Sequence, residues 1–346
     1  MAKIANSMTA ALDDDLEYYA LNPMEFEPIL ADHAQNNEPL FVFGDPGCGK
    51  TTMIGQAADA VGKPMLAPFN LSQSDGTEFG VPKFDENGVL HFSQEEHWHF
   101  RVQNPTTVFF DEWAQGTVLT QCSATPILRE NRVRSLYLHP KTWRIGASNF
   151  PKNKAGTNRI PSHTLNDMAV YGLVYHAESQ IAYMLARQDI DLLTVRFLRM
   201  KGDTAFFFDP TNTVNATPRQ WTNVGRKLFG NATTHIAVIA GHIGKGLASE
   251  LMSFRNLAPT LPDPMDVLMN PKTAKMPENT SAQFLITDML ADQATANTFD
   301  ALVEYAKRMP PEMQAKFVRD SMTRKPEVAS TRAFVEWGVK FAEVLR

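Results

Sequence analysis

Apolar and polar positions divide the chain into three stretches of different character. From Leu40 to about Tyr175, short apolar runs alternate with helical patterns and Gly or Pro turns. Leu40-Phe41-Val42-Phe43 reads as a buried strand and Thr51–Val61 as a helix. Met65–Phe69, Thr106–Phe110, Thr142–Ala147 and Met168–Tyr175 read as four further strands. Such alternation predicts an α/β fold with a mainly parallel five-stranded sheet covered on both faces. Residues 81–92 read as a hairpin turning at Asn87-Gly88, and Val133–Leu138 as one arm of a second small hairpin. Before this stretch, Leu12, Leu16, Tyr19 and Ala20 recur at helical spacing, which predicts a helix from Ser7 to about Leu30. After about Ile181 the strand signal fades. Helical patterns follow at Ile181–Arg187, Pro218–Leu228, Ala237–Phe254, Thr298–Met309, Pro311–Met322 and Thr331–Leu345. Between them, the Pro-rich stretch Ala258–Pro277 reads as a surface linker. The expected organisation is an N-terminal helical arm over 1–37, an α/β core over 38–180 and an all-α region over 181–346.

Composition adds limits. The chain has 346 residues, 43% of them hydrophobic, enough for a real core and against wholesale disorder. Its 33 Lys and Arg against 38 Asp and Glu give a net charge of −5, which argues against a generally basic nucleic-acid coat. The acid is localised. Residues 1–38 hold Asp13, Asp14, Asp15, Glu17, Glu25, Glu27, Asp32 and Glu38 against Lys3 alone, so the arm is acidic and the body near neutral. The arm reads as a solvated terminal helix or as a docking element. Two cysteines, Cys48 and Cys122, cannot build a disulfide framework or a cysteine zinc site. No run approaches the length of a membrane span and Met1–Leu21 lacks the pattern of a secretory leader. A cytoplasmic location is the expectation.

The candidate chemistry begins at Gly44-Asp45-Pro46-Gly47-Cys48-Gly49-Lys50-Thr51, followed by Thr52. The segment fits G-x-x-x-x-G-K-[ST], follows an apolar strand and opens a helix. Glycines let the backbone curl so that successive N–H groups face phosphate oxygens, and the helix N-terminus adds partial positive charge. Lys50 is then placed to bridge β- and γ-phosphates and the Thr51 hydroxyl to ligand Mg²⁺. The second element is Thr106-Thr107-Val108-Phe109-Phe110-Asp111-Glu112. A buried strand ending in two carboxylates exposes them at the sheet edge where α/β folds bind ligands. Asp111 is the candidate magnesium partner, through water, and Glu112 the candidate general base for an attacking water. The third element, Trp143-Arg144-Ile145-Gly146-Ala147-Ser148-Asn149, ends a strand on Asn149, a group to orient that water or touch the γ-phosphate. The implied cofactors are ATP and Mg²⁺.

Phosphate loop, Asp-Glu strand, Asn-tipped strand and helical lid, in that order, resemble the AAA+ ATPases. The details resemble the MoxR-type branch, which includes relatives that bacteriophages encode. Asn149-Phe150-Pro151 is similar to that branch's Asn-Pro ending. Asp75-Gly76-Thr77-Glu78-Phe79-Gly80-Val81-Pro82 resembles the segment opening its insertion in the second core helix. Ala216-Thr217-Pro218-Arg219-Gln220-Trp221 resembles its Pro-Arg second sensor. The match covers roughly residues 38–230, and the region beyond is similar only in outline.

The resemblance implies that Arg219 reaches the γ-phosphate from the lid. It also implies a homo-oligomeric ring, usually a hexamer, in which one subunit's Arg completes its neighbour's site. The ring would remodel a protein client, in relatives often with a von Willebrand factor A domain partner. Asp75–Pro82 and the hairpin after it are the candidate client-facing loops. One departure stands out. Where the family places an Asn-Arg or Asp-Arg pair, this chain has Leu165-Asn166-Asp167-Met168. Arg159 is the favoured substitute, with Arg132 and Arg134 as alternatives. Two rival readings follow: a nucleic-acid-handling motor, for which Lys152, Lys154 and Arg159 form the only modest basic cluster, and a nucleotide-gated structural subunit with little turnover, motivated by Asp167. His91, His97 and His99 with Glu95 and Glu96 also suggest a metal cluster, but Trp98 interrupts it within the insertion. Cys48 occupies a variable position of the phosphate loop, which argues against a catalytic thiol there.

Overall fold

The structure is a computed structural model that describes residues 18–151, 158–231 and 234–340. The carboxylates at 13–17, the lysines at 152 and 154, and the end of the last predicted helix lie outside the described residues. The chain falls into two compact units. One comprises Met1–Tyr183 with Asp203–Asn223, the other Met184–Gly202 with Val224–Arg346. The segment 203–223, placed by the sequence in the helical region, therefore groups with the sheet.

In the first unit, β1 (Ala20–Leu21), α1 (Pro23–Asn36), β2 (Leu40–Gly44) and α2 (Lys50–Ala60) lead to β3 (Phe69–Asn70). The hairpin of β4 (Val81–Phe84) and β5 (Leu90–Ser93), then α3 (Glu96–Gln103), precede β6 (Thr107–Asp111) and α4 (Val118–Glu130). The second hairpin, β7 (Arg132–Val133) and β8 (Leu136–Tyr137), leads to β9 (Trp143–Ser148), α5 (Ser162–Leu165), β10 (Ala169–Leu173) and α6 (Ala177–Leu185). The sheet runs β1-β10-β2-β9-β6-β3 with every neighbouring pair parallel. Neighbours distant in sequence require crossovers, and the helices supply them. Alternation within β2 sends Phe41 and Phe43 to one face and Leu40 and Val42 to the other. Phe41 and Phe43 pack with Val108, Phe110 and Trp113 and with Ala124, Ile127 and Leu128 of α4. Leu40 and Val42 pack with Ile145, Ala147 and Leu173, under Phe26, Leu30 and Ala34 of α1 and Ile54 and Ala58 of α2. Both faces are covered, as the apolar runs require.

Three expectations are corrected here. The five predicted strands are joined by a sixth, because Ala20–Leu21 pairs with Gly172–Leu173 of β10. Tyr19 and Ala20 are therefore not helical. The helix begins at Pro23 instead, where the Asn22 side chain accepts from the Met24 and Glu25 N–H groups and Glu25 reaches back to the Asn22 N–H at 3.0 Å. With Phe26, Leu30 and Ala34 buried, residues 20–37 belong to the core rather than to a separate arm. The second predicted strand shrinks to Phe69–Asn70, with Met65 contributing an isolated bridge to Thr107. Pro64 and Pro68 lack the N–H groups a longer ladder would need.

The second unit holds α7 (Leu192–Lys201), the latter part of α8 (Pro218–Leu228), α9 (Ile236–Ile243), α10 (Lys245–Arg255), α11 (Pro264–Met269), α12 (Thr280–Gln293), α13 (Phe299–Ala306), α14 (Pro311–Arg324) and α15 (Arg332–Lys340). The single helix expected over Ala237–Phe254 is two, broken at Gly244, whose φ of +82° a helix cannot contain. The Pro-rich stretch is not a plain surface linker. Asp263 caps α11, Pro264 takes its first position, and Val267 and Ala274 are buried in the helical core with Leu302 and Phe317. That core is tied by one fully buried acid. Asp288 of α12 accepts from Arg196 Nε at 3.2 Å and Arg199 Nη1 at 3.1 Å, and also from Arg324, with Lys316 Nζ 3.8 Å away. Burial pushes its carboxyl up, but the Arg324 and Arg199 cations outweigh that and hold it below the usual range.

Candidate functional site

The segment 44–51 leaves the C-terminal end of β2 and closes into α2. Gly47 and Gly49 take φ values of +74° and +102°, and Gly49 caps the helix. Gly47 is needed twice over. Its backbone lies in the left-handed region, and a Cβ there would sit 2.8 Å from Thr217 Oγ1. Lys50 is buried, with Nζ donating to the carbonyls of Gly44 at 2.7 Å and Asp45 at 3.2 Å. Its ammonium is thereby fixed within the curve of the loop. Cys48 is buried with Sγ 3.9 Å from that nitrogen, and burial raises its thiol pKa, so it stays protonated. Thr52 is exposed on α2.

The acidic pair comes to this loop through the parallel pairing of β2, β9 and β6. Thr51 Oγ1 donates to Asp111 Oδ2 at 3.0 Å, joining residues 60 apart in sequence. A hydroxyl and a carboxylate oxygen this close, half-buried beside an ammonium, form a hard-oxygen set that suits Mg²⁺. Glu112 has φ +53°, an uncommon conformation for a non-glycine residue, of a kind that clusters at active sites. Its N–H donates to Asp111 Oδ1 at 2.9 Å, and its Oε2 accepts from Ser72 Oγ at 2.7 Å. Sequence reasoning missed Ser72. Its signal was only a hydroxyl two residues beyond a short strand, and its partner lies 40 residues away.

Asn149 follows β9 at the same edge. With Phe43, Ala114 and Arg159 it lines a cavity of about 380 Å³. Asn158 anchors this side, its N–H donating to Ala114 O at 2.6 Å and its amide to Gly116 O at 2.9 Å. Arg159 is thus brought beside Asn149. Asp167 is elsewhere. It precedes β10, so it lies at the opposite, N-terminal edge of the sheet, where Arg129 at the end of α4 donates to it through Nε at 2.6 Å. Of the alternative arginines, Arg132 bonds Glu130 and the Arg134 carbonyl, and Arg134 stacks over the Phe92 ring at 4.6 Å. Arg219, in the first turn of α8, is exposed, and its Cβ lies 3.3 Å from where a Gly47 Cβ would stand. The structure therefore brings Lys50, Thr51, Asp111, Glu112 and Arg219 to one edge.

The histidines do not converge. His91 pairs with Asp85 across the first hairpin at 3.1 Å, and His97 with Glu95 at 3.2 Å. Among the described residues no three His, Cys, Asp or Glu side chains are grouped to hold a metal. That hairpin exposes Phe84, Val81, Val89 and Leu90. No described helix is long and apolar enough to cross a membrane.

No family model and no curated protein sequence matches the chain. Solved structures do. NtrX from Brucella abortus matches at 13% identity and a TM-score of 0.41, over 87% of this chain and 62% of that one. The same protein in complex with ATP matches at 12% identity and 0.40, over 90% and 64%. A RuvB variant from Thermotoga maritima matches at 11% identity and 0.39, over 67% and 68%. The chain spans less than two thirds of the NtrX chain in the first of these matches.

Proposed function

We propose that this chain is a magnesium-dependent ATPase of the AAA+ type, MoxR-like in its details, working as a six-subunit ring to remodel or assemble a protein client. One observation carries the reading. A glycine-lined loop with a buried lysine faces an Asp-Glu pair, with the Thr51 hydroxyl and Asp111 carboxylate 3.0 Å apart. Loop amides and Lys50 bind the triphosphate; Thr51 and Asp111 would hold the Mg²⁺, which would supply positive charge to offset that building on the phosphoryl oxygens. Glu112 takes a proton from the attacking water, with Ser72 fixing its carboxylate. Asn149 orients that water, and Arg219 contacts the γ-phosphate from the start of α8. The exposed apolar hairpin is the surface offered to the client, with a von Willebrand factor A domain protein as a candidate partner.

A second reading is a nucleotide-gated structural subunit. It is favoured by Asp167, which stands where the family's Arg is expected and is paired with Arg129. A nucleic-acid motor is disfavoured by the net charge of −5. Phosphate release from MgATP, with particle mass measured in parallel, tests the reading. Magnesium-dependent turnover by a ring, lost in Lys50→Ala, is expected. Turnover that survives Lys50→Ala contradicts the site, and nucleotide binding without measurable turnover selects the structural subunit.

A further inference from the structure

The Tyr175 hydroxyl donates to the carbonyl of Pro46, inside the phosphate loop, at 2.7 Å across 129 residues of sequence. This bond fixes more than one oxygen. The Pro46 carbonyl and the Gly47 N–H belong to the same planar peptide, so holding one atom sets the direction of the other. That peptide has rotational freedom to restrain, because Gly47 has no Cβ and sits at φ +74°. From the hydrogen bond and this plane we infer that Tyr175 is a positioning residue for nucleotide binding. It clamps the Pro46–Gly47 peptide so that the Gly47 N–H faces the phosphates.

The clamp is braced. The Tyr175 ring lies 6.4 Å from Phe206, and Phe206 lies 6.5 Å edge-on from Trp221. Trp221 is fully buried, its indole N–H donating to Ala205 O at 2.8 Å. Trp221 shares α8 with Arg219, and Thr217, at the head of that helix, closes on Gly47 from its Cα side. Tyr175 thus joins the loop peptide to the helix that carries Arg219. Burial raises the Tyr175 pKa, with the nearby Asp45 charge adding to it, so the hydroxyl keeps its proton and remains a donor.

The inference rests on the nucleotide reading of the site, and Lys50→Ala separates the two. Tyr175→Phe removes one oxygen and keeps the ring on Phe206. With a fluorescent ATP analogue and magnesium, the variant should bind about five- to tenfold more weakly, the usual consequence of losing one hydrogen bond. KM for ATP should rise by the same factor and kcat stay within about twofold, since no reacting atom is touched. A merely structural role would lower the melting temperature of the ligand-free chain and leave Kd and KM alone. Unchanged Kd and KM in Tyr175→Phe, with binding lost in Lys50→Ala, overturn the positioning role only. Binding retained in Lys50→Ala overturns the nucleotide reading and this inference with it.

Discussion

Replacing Glu112 by Gln exchanges one carboxylate oxygen for an amide nitrogen and removes a negative charge. Little else should change. The Ser72 hydroxyl, which donates to Glu112 Oε2 at 2.7 Å, can donate to the Gln carbonyl instead, and the left-handed backbone at φ +53° suits Gln as well as Glu. Folding stability should therefore shift by no more than about 0.5 kcal/mol. Lys50 and Thr51 keep their partners, so the Kd for MgATP should stay within about threefold of the parent. What is lost is the proposed general base. General-base catalysis contributes ~10²–10⁴ in rate, which is about 3–5 kcal/mol in barrier at ~1.36 kcal/mol per decade. Single-turnover phosphate release, with protein in excess over MgATP, reads that step without product release. A variant rate within threefold of a fast parent rate refutes Glu112 as the base. Loss of ATP binding by a folded variant refutes the separation of Glu112 from the phosphate contacts. Parent and variant rates that coincide at a low value select the structural-subunit reading.

Two further substitutions probe the packing. Gly47→Ala forces a Cβ into the left-handed region, at about 1–2 kcal/mol, and onto Thr217 Oγ1 at 2.8 Å. Its melting temperature should fall and ATP affinity drop at least about tenfold; parental affinity would contradict the loop geometry. Asp288→Asn leaves Arg196, Arg199, Arg324 and Lys316 around an uncharged side chain. Urea unfolding should show a loss of about 3–5 kcal/mol, and a loss under about 1 kcal/mol would contradict the buried network. The pH dependence has a definite sign. The Asp288 carboxyl is held below its ordinary value when folded, so its contribution is complete above about pH 4 and lost as pH falls through the lower folded value. The parent urea midpoint should show an acid drop that is reduced in Asp288→Asn.

What the sequence made legible was whatever is local. Leu40–Phe43 and the Gly, Lys and Thr that follow lie close together in sequence, and Phe109–Glu112 are consecutive, so apolar runs and motif spacing pointed to the two segments that the structure joins through Thr51 and Asp111. Pro218–Leu228 was also readable from its periodicity, and the structure places it over the same residues. Long-range partners were hidden. Ser72 meets Glu112 across 40 residues and Tyr175 meets Pro46 across 129, and neither pairing leaves a mark on its neighbours. Two of the helices that went unseen did so for a related reason. In α12 the buried positions include Thr287 and Asp288, and in α7 the arginines 196 and 199 turn inward to that acid, so polarity stopped reporting exposure. Proline misled in both directions, shortening the second strand at Pro64 and Pro68 yet starting α11 at Pro264.

A structure determined with magnesium and a non-hydrolysable ATP analogue tests the phosphate site most directly. Lys50 Nζ should leave the Gly44 and Asp45 carbonyls for phosphate oxygens, and the ion should lie between Thr51 and Asp111. A nucleotide seated elsewhere, with Lys50 still on Gly44 O, would contradict the account.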